Sequence, residues 1–215
     1  MARQRVIDET TTEWLLFVDD DCMLSEGWYG KIRRHLSEPD VGLVWGAQLA
    51  RLQETGSRVN TTERSIRSFR VKGGTHDTLL RMKAIEGIRI PRFLHWREDT
   101  YIKNYVEGKG YRCVVSSEAG FYHIKSRTKI LESNLQEDPR LRYLCERFVG
   151  VYKADYARAL KTLAGILPDL LRPKGVGRRA MVVGRLAWFR YHSGLYSYSP
   201  GLLAEYENRE RRVPR

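Results

Sequence analysis

Residues Trp14 to Val18 read WLLFV, five consecutive apolar side chains, and the run ends abruptly in Asp19, Asp20 and Asp21. A short continuous apolar run of this length is the signature of a strand buried on both faces. An ionised carboxylate at the end of such a strand is costly to desolvate, and three in a row repel one another unless a cation or water compensates. The pattern points to a cation site at the carboxyl end of a strand, where open α/β sheets bind ligands. Hard oxygen ligands suit Mg²⁺ or Mn²⁺, and one or two carboxylates leave positions on the ion for water and diphosphate oxygens. The competing reading is a solvated strand-to-helix turn whose aspartates act as caps.

The flanking pattern supports layered α/β architecture. Ser25 to Leu36 offers an N-cap serine and places Trp28, Ile32 and Leu36 on one helical face, with Glu38-Pro39-Asp40 closing it. Val41 to Leu49 reads as the next strand, and the order strand, helix, strand is that of an α/β fold. Residues 53–75 are polar and read as a surface excursion with Gly56 and the Gly73-Gly74 pair as flexible points. Helices are expected over Arg81 to Glu86 and over Glu98 to Glu107, the second with Tyr101, Ile102, Tyr105 and Val106 as its apolar face. Gly108-Lys109-Gly110 stops that helix, and Tyr111 to Val115 reads as a further strand. Beyond Ser126, the residues Leu144, Phe148, Val151, Tyr152, Tyr156, Leu160, Leu163 and Leu167 form one amphipathic stripe ending at Pro168, and Gly177 to Tyr191 is a second helix. An apolar strand before Asp-x-Asp also opens phosphatases with an aspartate nucleophile. That pattern wants a small residue such as Thr two positions after the second aspartate, where this chain has Met23.

The net charge of +12 is uneven: residues 1–123 carry 19 basic and 17 acidic side chains, residues 124–215 carry 19 and 9. The basic excess therefore belongs to the C-terminal part, away from the aspartates. Its lysines and arginines are interleaved with the apolar stripe and follow no zinc, RRM or homeodomain pattern, so nucleic acid is not an expected partner. An anionic membrane surface is the expected peripheral contact, through Arg172, Lys174, Arg178 and Arg179; the alternative is a solvated basic face on packed helices. No apolar stretch approaches the roughly 20 residues of a transmembrane helix. The N-terminus lacks the apolar core of a secretion signal, so a cytoplasmic location, peripheral at the membrane's cytoplasmic face, is expected. Cys22, Cys113 and Cys145 are widely separated, without a Cys-x-x-Cys pair, which argues against a disulfide framework and against a thiolate metal site.

Downstream, Trp96-Arg97-Glu98-Asp99 enters a helix that ends before Gly110-Tyr111. Alone, acids at a helix start merely complement its dipole. Taken together, FVDDD, GGTHDTLLR, WREDTYIKNYVEGKGYR and FYH resemble family 2 glycosyltransferases, over roughly residues 2–127. The resemblance implies a partial GT-A fold, Rossmann-like, with a mostly parallel sheet and flanking helices over 1–127, followed by a basic helical region over 128–215. It implies that Asp19, Asp20 and Asp21 face the donor diphosphate and that Asp19, Asp21 and His123 hold Mg²⁺ or Mn²⁺, Asp21 most directly. Asp99 would be the general base and Glu98 its positioning partner. Gly73, Gly74 and Thr75 would edge the acceptor pocket, Arg81 would reach phosphate or cap its helix, and Trp96 would stack on a sugar or pack. His123 has the alternative of a packed histidine at a strand end. The implied reaction moves a sugar from a nucleotide-sugar donor to a hydroxyl of a glycan or lipid-linked acceptor, with inversion.

Members of that family carry about 80 to 100 further residues before the aspartate motif, including strands that bind the nucleotide. The resemblance therefore also implies a missing N-terminal segment or a partner subunit that supplies it. The alternative function is a truncated, inactive fragment acting as a binding module.

Overall fold

The computed structural model describes residues 2–53, 58–60, 62–94, 97–125, 138–166, 168, 176–198, 201 and 204. They fall into two compact units, Met1–Gln136 and Glu137–Arg215. In the first, helix α1 (Ala2–Glu9) precedes strand β1 (Trp14–Val18), the acidic turn, β2 (Cys22–Leu24), α2 (Trp28–Ile32) and a 3₁₀ turn (Arg33–Ser37). There follow β3 (Val41–Gln53), β4 (Arg58–Asn60), α3 (Thr62–Lys72), β5 (Asp77–Arg81), a 3₁₀ turn (Met82–Ile85), α4 (Glu98–Gly108) and β6 (Arg112–Lys125).

The sheet runs β1-β5-β3-β6-β2, with β4 on β3. Among the described residues only β3 and β6 run parallel; β1/β5, β3/β5, β2/β6 and β3/β4 are antiparallel. The architecture is α/β, as expected, but the sheet is mixed rather than mostly parallel. The reason is β5, which lies between β1 and β3 and runs antiparallel to both.

β1 and β2 lie at opposite ends of this order, yet only Asp19 to Asp21 join them. Four strand spacings in a flat sheet are about 19 Å, whereas the four peptide units from Val18 to Cys22 reach at most about 14 Å. The sheet must therefore fold over. The bend sits in β6, where the register jumps from Gly46↔Ser116 to Ala47↔Gly120 and leaves three residues of β6 unpaired with β3. Past that bulge, Phe121 to His123 pair with Leu24 to Cys22.

Leu43, Trp45, Leu80, Ile102, Val106 and Phe121 form the larger core, against which Leu15 and Phe17 pack. Trp28, Ile32, Val41, Val44, Leu79 and Ala119 fill the opposite face. β3 is thus buried on both faces. β1 is not: Leu16 and Val18 are exposed, because β1 ends the sheet order and only alternate side chains reach the core. Other expectations shift. The helix expected from Ser25 begins at Trp28, and Ser25 instead accepts the Trp28 and Gly120 amides. Of the helix expected over Arg81 to Glu86, Arg81 ends strand β5 and Met82–Ile85 form only a 3₁₀ turn. The polar excursion contains α3, which buries Phe69 in the core and Ser65 against the β3 backbone.

Two polar side chains tie these layers together. Arg81 donates to the carbonyls of Val41 (2.8 Å), Leu36 (2.9 Å) and Glu38 (2.9 Å), pairs with Glu13 and lies over Trp14. Asp77 is fully buried; its Oδ2 accepts from Trp28 Nε1 (2.8 Å) and Gly46 N (3.0 Å), while Oδ1 has no hydrogen-bond partner. Burial pushes its carboxyl up to about 7, against the pull of those two donors.

The second unit is helical: α5 (Pro139–Phe148), α6 (Tyr156–Ala164) and α7 (Val176–Ser193). The single stripe expected from Leu144 to Leu167 is broken at Gly150, whose positive φ ends α5, and Asp155 caps a new helix by accepting the Arg158 amide. Glu146 is buried and accepts from the Tyr191 hydroxyl (2.6 Å) and Arg142, beside Tyr143, Tyr152 and Trp188. Among the described residues no helix is long and apolar enough to cross a membrane.

Arg81→Lys strands at least one of the three carbonyls and should cost about 2–3 kcal/mol in urea unfolding; an unchanged midpoint would refute the role. For Asp77, a folded-state pKa raised from about 4 to about 7 means that its contribution is favourable below pH 4 and is lost as pH rises through 7. With chelator present, Asp77→Asn should therefore flatten the fall in stability between pH 4 and 8 and gain most at pH 8. Parallel stability curves for the two proteins would exclude this.

Candidate active site

The acidic turn is fixed from both sides. Asp19 N donates to the His76 carbonyl (3.1 Å) and Cys22 N closes the turn onto the Asp19 carbonyl (3.1 Å). Asp20 is exposed. Asp19 Oδ1 accepts from Arg3 of α1 at 3.2 Å, and the other guanidinium nitrogen of Arg3 pairs with Glu98 at the start of α4. One cation thus bridges the first acidic motif to the second, across 95 residues of sequence between Arg3 and Glu98. On the other side of the turn, Asp21 Oδ2 lies 2.9 Å from His123 Nε2.

Asp99 is brought in by α4 and by the loop before β5. Its Oδ1 accepts the Thr100 amide (2.7 Å), and the Thr100 hydroxyl donates to the Lys72 carbonyl (2.6 Å). Gly73 has φ 73 and sits so close that a Cβ there would meet the Asp99 carbonyl at 2.9 Å, so only glycine fits. The Gly74 carbonyl accepts from Trp45 Nε1 and the Thr78 hydroxyl, and Thr75 is buried. His76 follows, its ring edge-on to His123 at 5.3 Å. Burial raises the Asp99 carboxyl above the ordinary range, opposed by the Thr100 amide, Arg97 and His76.

β2 contributes Cys22, whose Cα register partner is His123. Paired residues of antiparallel strands share a face, and donor atoms of Asp21, Cys22 and His123 all lie within 4.8 Å of one another. Burial, then Asp21, Asp19 and Asp77 push the thiol pKa far up. The three donors Asp21, Cys22 and His123, with a buried Asp77 oxygen lacking a partner, fit a divalent cation. Asp21 and His123 are in this donor group; Asp19 is directed to Arg3.

The structure therefore gathers Asp19, Asp21, Glu98, Asp99, Gly74, Thr75 and His123 around neighbouring segments. Arg81 is not with them, since its guanidinium is spent on backbone carbonyls of the β3 side. Trp96 lies outside the described residues. Arg3, His76 and Cys22 are functional candidates that sequence reasoning missed. The available signal for Arg3 was a cationic residue in a helix leading into an acid-tipped strand; for Cys22 it was adjacency to the triplet; for His76, only the pairing geometry reveals it.

No match is found among curated proteins. Residues 1–99 match the family model described as Glycosyl transferase family 2, a stretch running from the helix that carries Arg3 to Asp99. Over this segment, which holds both acidic motifs, the chain is similar to glycosyl transferase family 2.

Proposed function

We propose that the chain transfers a sugar from a nucleotide-sugar donor to a hydroxyl of a glycan or lipid-linked acceptor, with inversion at the anomeric carbon. The observation that carries this reading is the junction of the two acidic motifs at Arg3, which brings the diphosphate-type turn beside a partly buried carboxylate able to act as base. Asp99 takes the proton from the acceptor hydroxyl as its oxygen attacks, and a raised pKa suits a base working near neutrality. Glu98 and Arg3 position one another, with Arg3 also within reach of donor phosphate charge. Gly73, Gly74 and Thr75 shape the acceptor side. Asp21 and His123 would hold a divalent cation, of which the family resemblance implies Mg²⁺ or Mn²⁺. When bound, it neutralises charge on the departing nucleoside diphosphate.

The second unit favours peripheral contact with an anionic membrane. Tyr156, Leu160 and Leu163 are exposed at helical spacing on α6, alongside exposed Arg158 and Lys161. α7 likewise exposes Val183 and Leu186. Arg172 and Lys174 lie outside the described residues, as do the side chains of Arg178 and Arg179.

Asp99→Asn should lower nucleoside diphosphate release with acceptor present by about 10²- to 10⁴-fold, with donor affinity retained in calorimetry. The acid limb of the wild-type rate profile should lie above the ordinary carboxylate range. Full activity in Asp99→Asn would eliminate it as the base. For the membrane reading, the full chain should co-sediment with phosphatidylserine-containing vesicles at moderate salt, and Leu160→Glu/Leu163→Glu should weaken this at least tenfold. Equal recovery on neutral vesicles, or none on either, would end it.

A further inference from the structure

We propose that Asp21, Cys22 and His123 form a three-donor site selective for a borderline divalent cation, Zn²⁺ or Co²⁺, over Mg²⁺, with Cys22 as thiolate ligand. The proposal rests on the glycosyl-transfer reading only for the occupant of the fourth position, a diphosphate oxygen of the donor.

The donor set decides the metal. Mg²⁺ takes near-ideal octahedra of oxygen ligands and holds its water; a site offering one sulfur and one imidazole nitrogen beside one carboxylate does not meet that demand. Zn²⁺ takes such mixed sets, and its catalytic sites use three protein ligands with one open position. Affinity for nitrogen and sulfur donors also rises along the series from Mn²⁺ through Co²⁺ towards Cu²⁺.

Geometry is close to what a tetrahedral ion needs. With metal–ligand distances of about 2.0–2.3 Å, ligand atoms lie roughly 3.3–3.7 Å apart. Here His123 Nε2 and Asp21 Oδ2 are at 2.9 Å, Cys22 Sγ and Asp21 Oδ1 at 3.8 Å, and all three donor groups fall within 4.8 Å. Shifts of under about 1 Å, within side-chain rotation, would close the set. The backbone is prepared for this, since Cys22 and His123 are register partners in β2 and β6, and Asp21 precedes Cys22 at the mouth of the turn. His123 is also held by the edge of the His76 ring.

The polar surroundings agree. The Arg3 guanidinium pairs with Asp19 and Glu98 and leaves Asp21 to His123, and the fully buried Asp77 keeps an unpartnered Oδ1. On binding, the thiol proton leaves to solvent and the sulfur lone pair forms the metal bond, so uptake of one cation releases one proton from Cys22.

The test is titration of the reduced full chain with Co²⁺. A near-ultraviolet thiolate-to-cobalt charge-transfer band should appear, together with intense visible bands of four-coordinate cobalt. Zn²⁺ should bleach them at stoichiometric amounts, and a thousandfold excess of Mg²⁺ should not. Cys22→Ser should abolish the charge-transfer band and weaken Co²⁺ binding about 100-fold, while Cys113→Ser and Cys145→Ser keep it; circular dichroism checks that each variant is folded. His123→Gln, which leaves the thiol in place, should shift the visible bands and weaken binding. Absence of cobalt binding, binding without the band, a band surviving in Cys22→Ser, or competition by Mg²⁺ would each overturn the proposal. Loss of glycosyl transfer under every cation, with the band intact, would instead sink the transfer reading and leave the metal site standing. Transfer supported equally by Mg²⁺ and Zn²⁺ would do the reverse.

Discussion

Three residues have to connect the two ends of a five-strand path. A flat sheet sets β1 and β2 further apart than the acidic turn can reach, and the covalent chain cannot stretch, so the sheet yields. It yields at the weakest point of its strongest pairing, the bulge of β6 opposite Gly46 and Ala47. The bend carries Phe121, Tyr122 and His123 across to β2. The acidic turn is thus both the chemical feature and the mechanical one: its shortness is what delivers a histidine from residue 123 to an aspartate at residue 21.

That delivery concentrates negative charge, and the fold handles the charge in separate ways. Asp19 and Glu98 share the Arg3 guanidinium, partly buried and therefore less screened than a surface pair. Asp21 meets the buried His123 imidazole at 2.9 Å. Asp77 is held by an indole and an amide, and burial raises its carboxyl pKa to about 7. Asp99 spends one oxygen on its own helix start. Few of these groups are interchangeable, because each is stabilised by a partner from a different element.

How much of this could be read from residues alone follows from where the partners lie. β1, the strand at Val41 and α4 were legible because apolar run, turn residues and helical face are all local signals. β5 went unread because DTLLR is short and carries no alternation. The helix expected from Arg81 to Glu86 is only a 3₁₀ turn, since tertiary pairing to β1 and β3 holds Arg81 in the strand. The full length of β6 was hidden by Ser116 to Gly120, which carry little strand character and form the bulge. Helix α3 was hidden for a related reason, since Ser65 and Phe69 are the buried residues along it and most of the rest of its sequence is polar. In the site, Asp19, Asp21, Glu98 and Asp99 stood out as acids at element ends. Arg3, His76 and Cys22 did not, because what gives each a role is a contact 16 to 95 positions away or a strand register.

The pairing of β2 with β6 has a last consequence. Side chains alternate with period two along each strand, so a slip of one residue would send His123 and Cys22 to opposite faces and scatter the donor group. The pairing is only three residues long, Cys22↔His123, Met23↔Tyr122 and Leu24↔Phe121, and short ladders tolerate slippage poorly policed by hydrogen bonds alone. Any ion held by Asp21, Cys22 and His123 would act as a proofreader of that alignment, favouring the one register in which sulfur, imidazole and carboxylate converge, and folding and loading of the site would then be a single event.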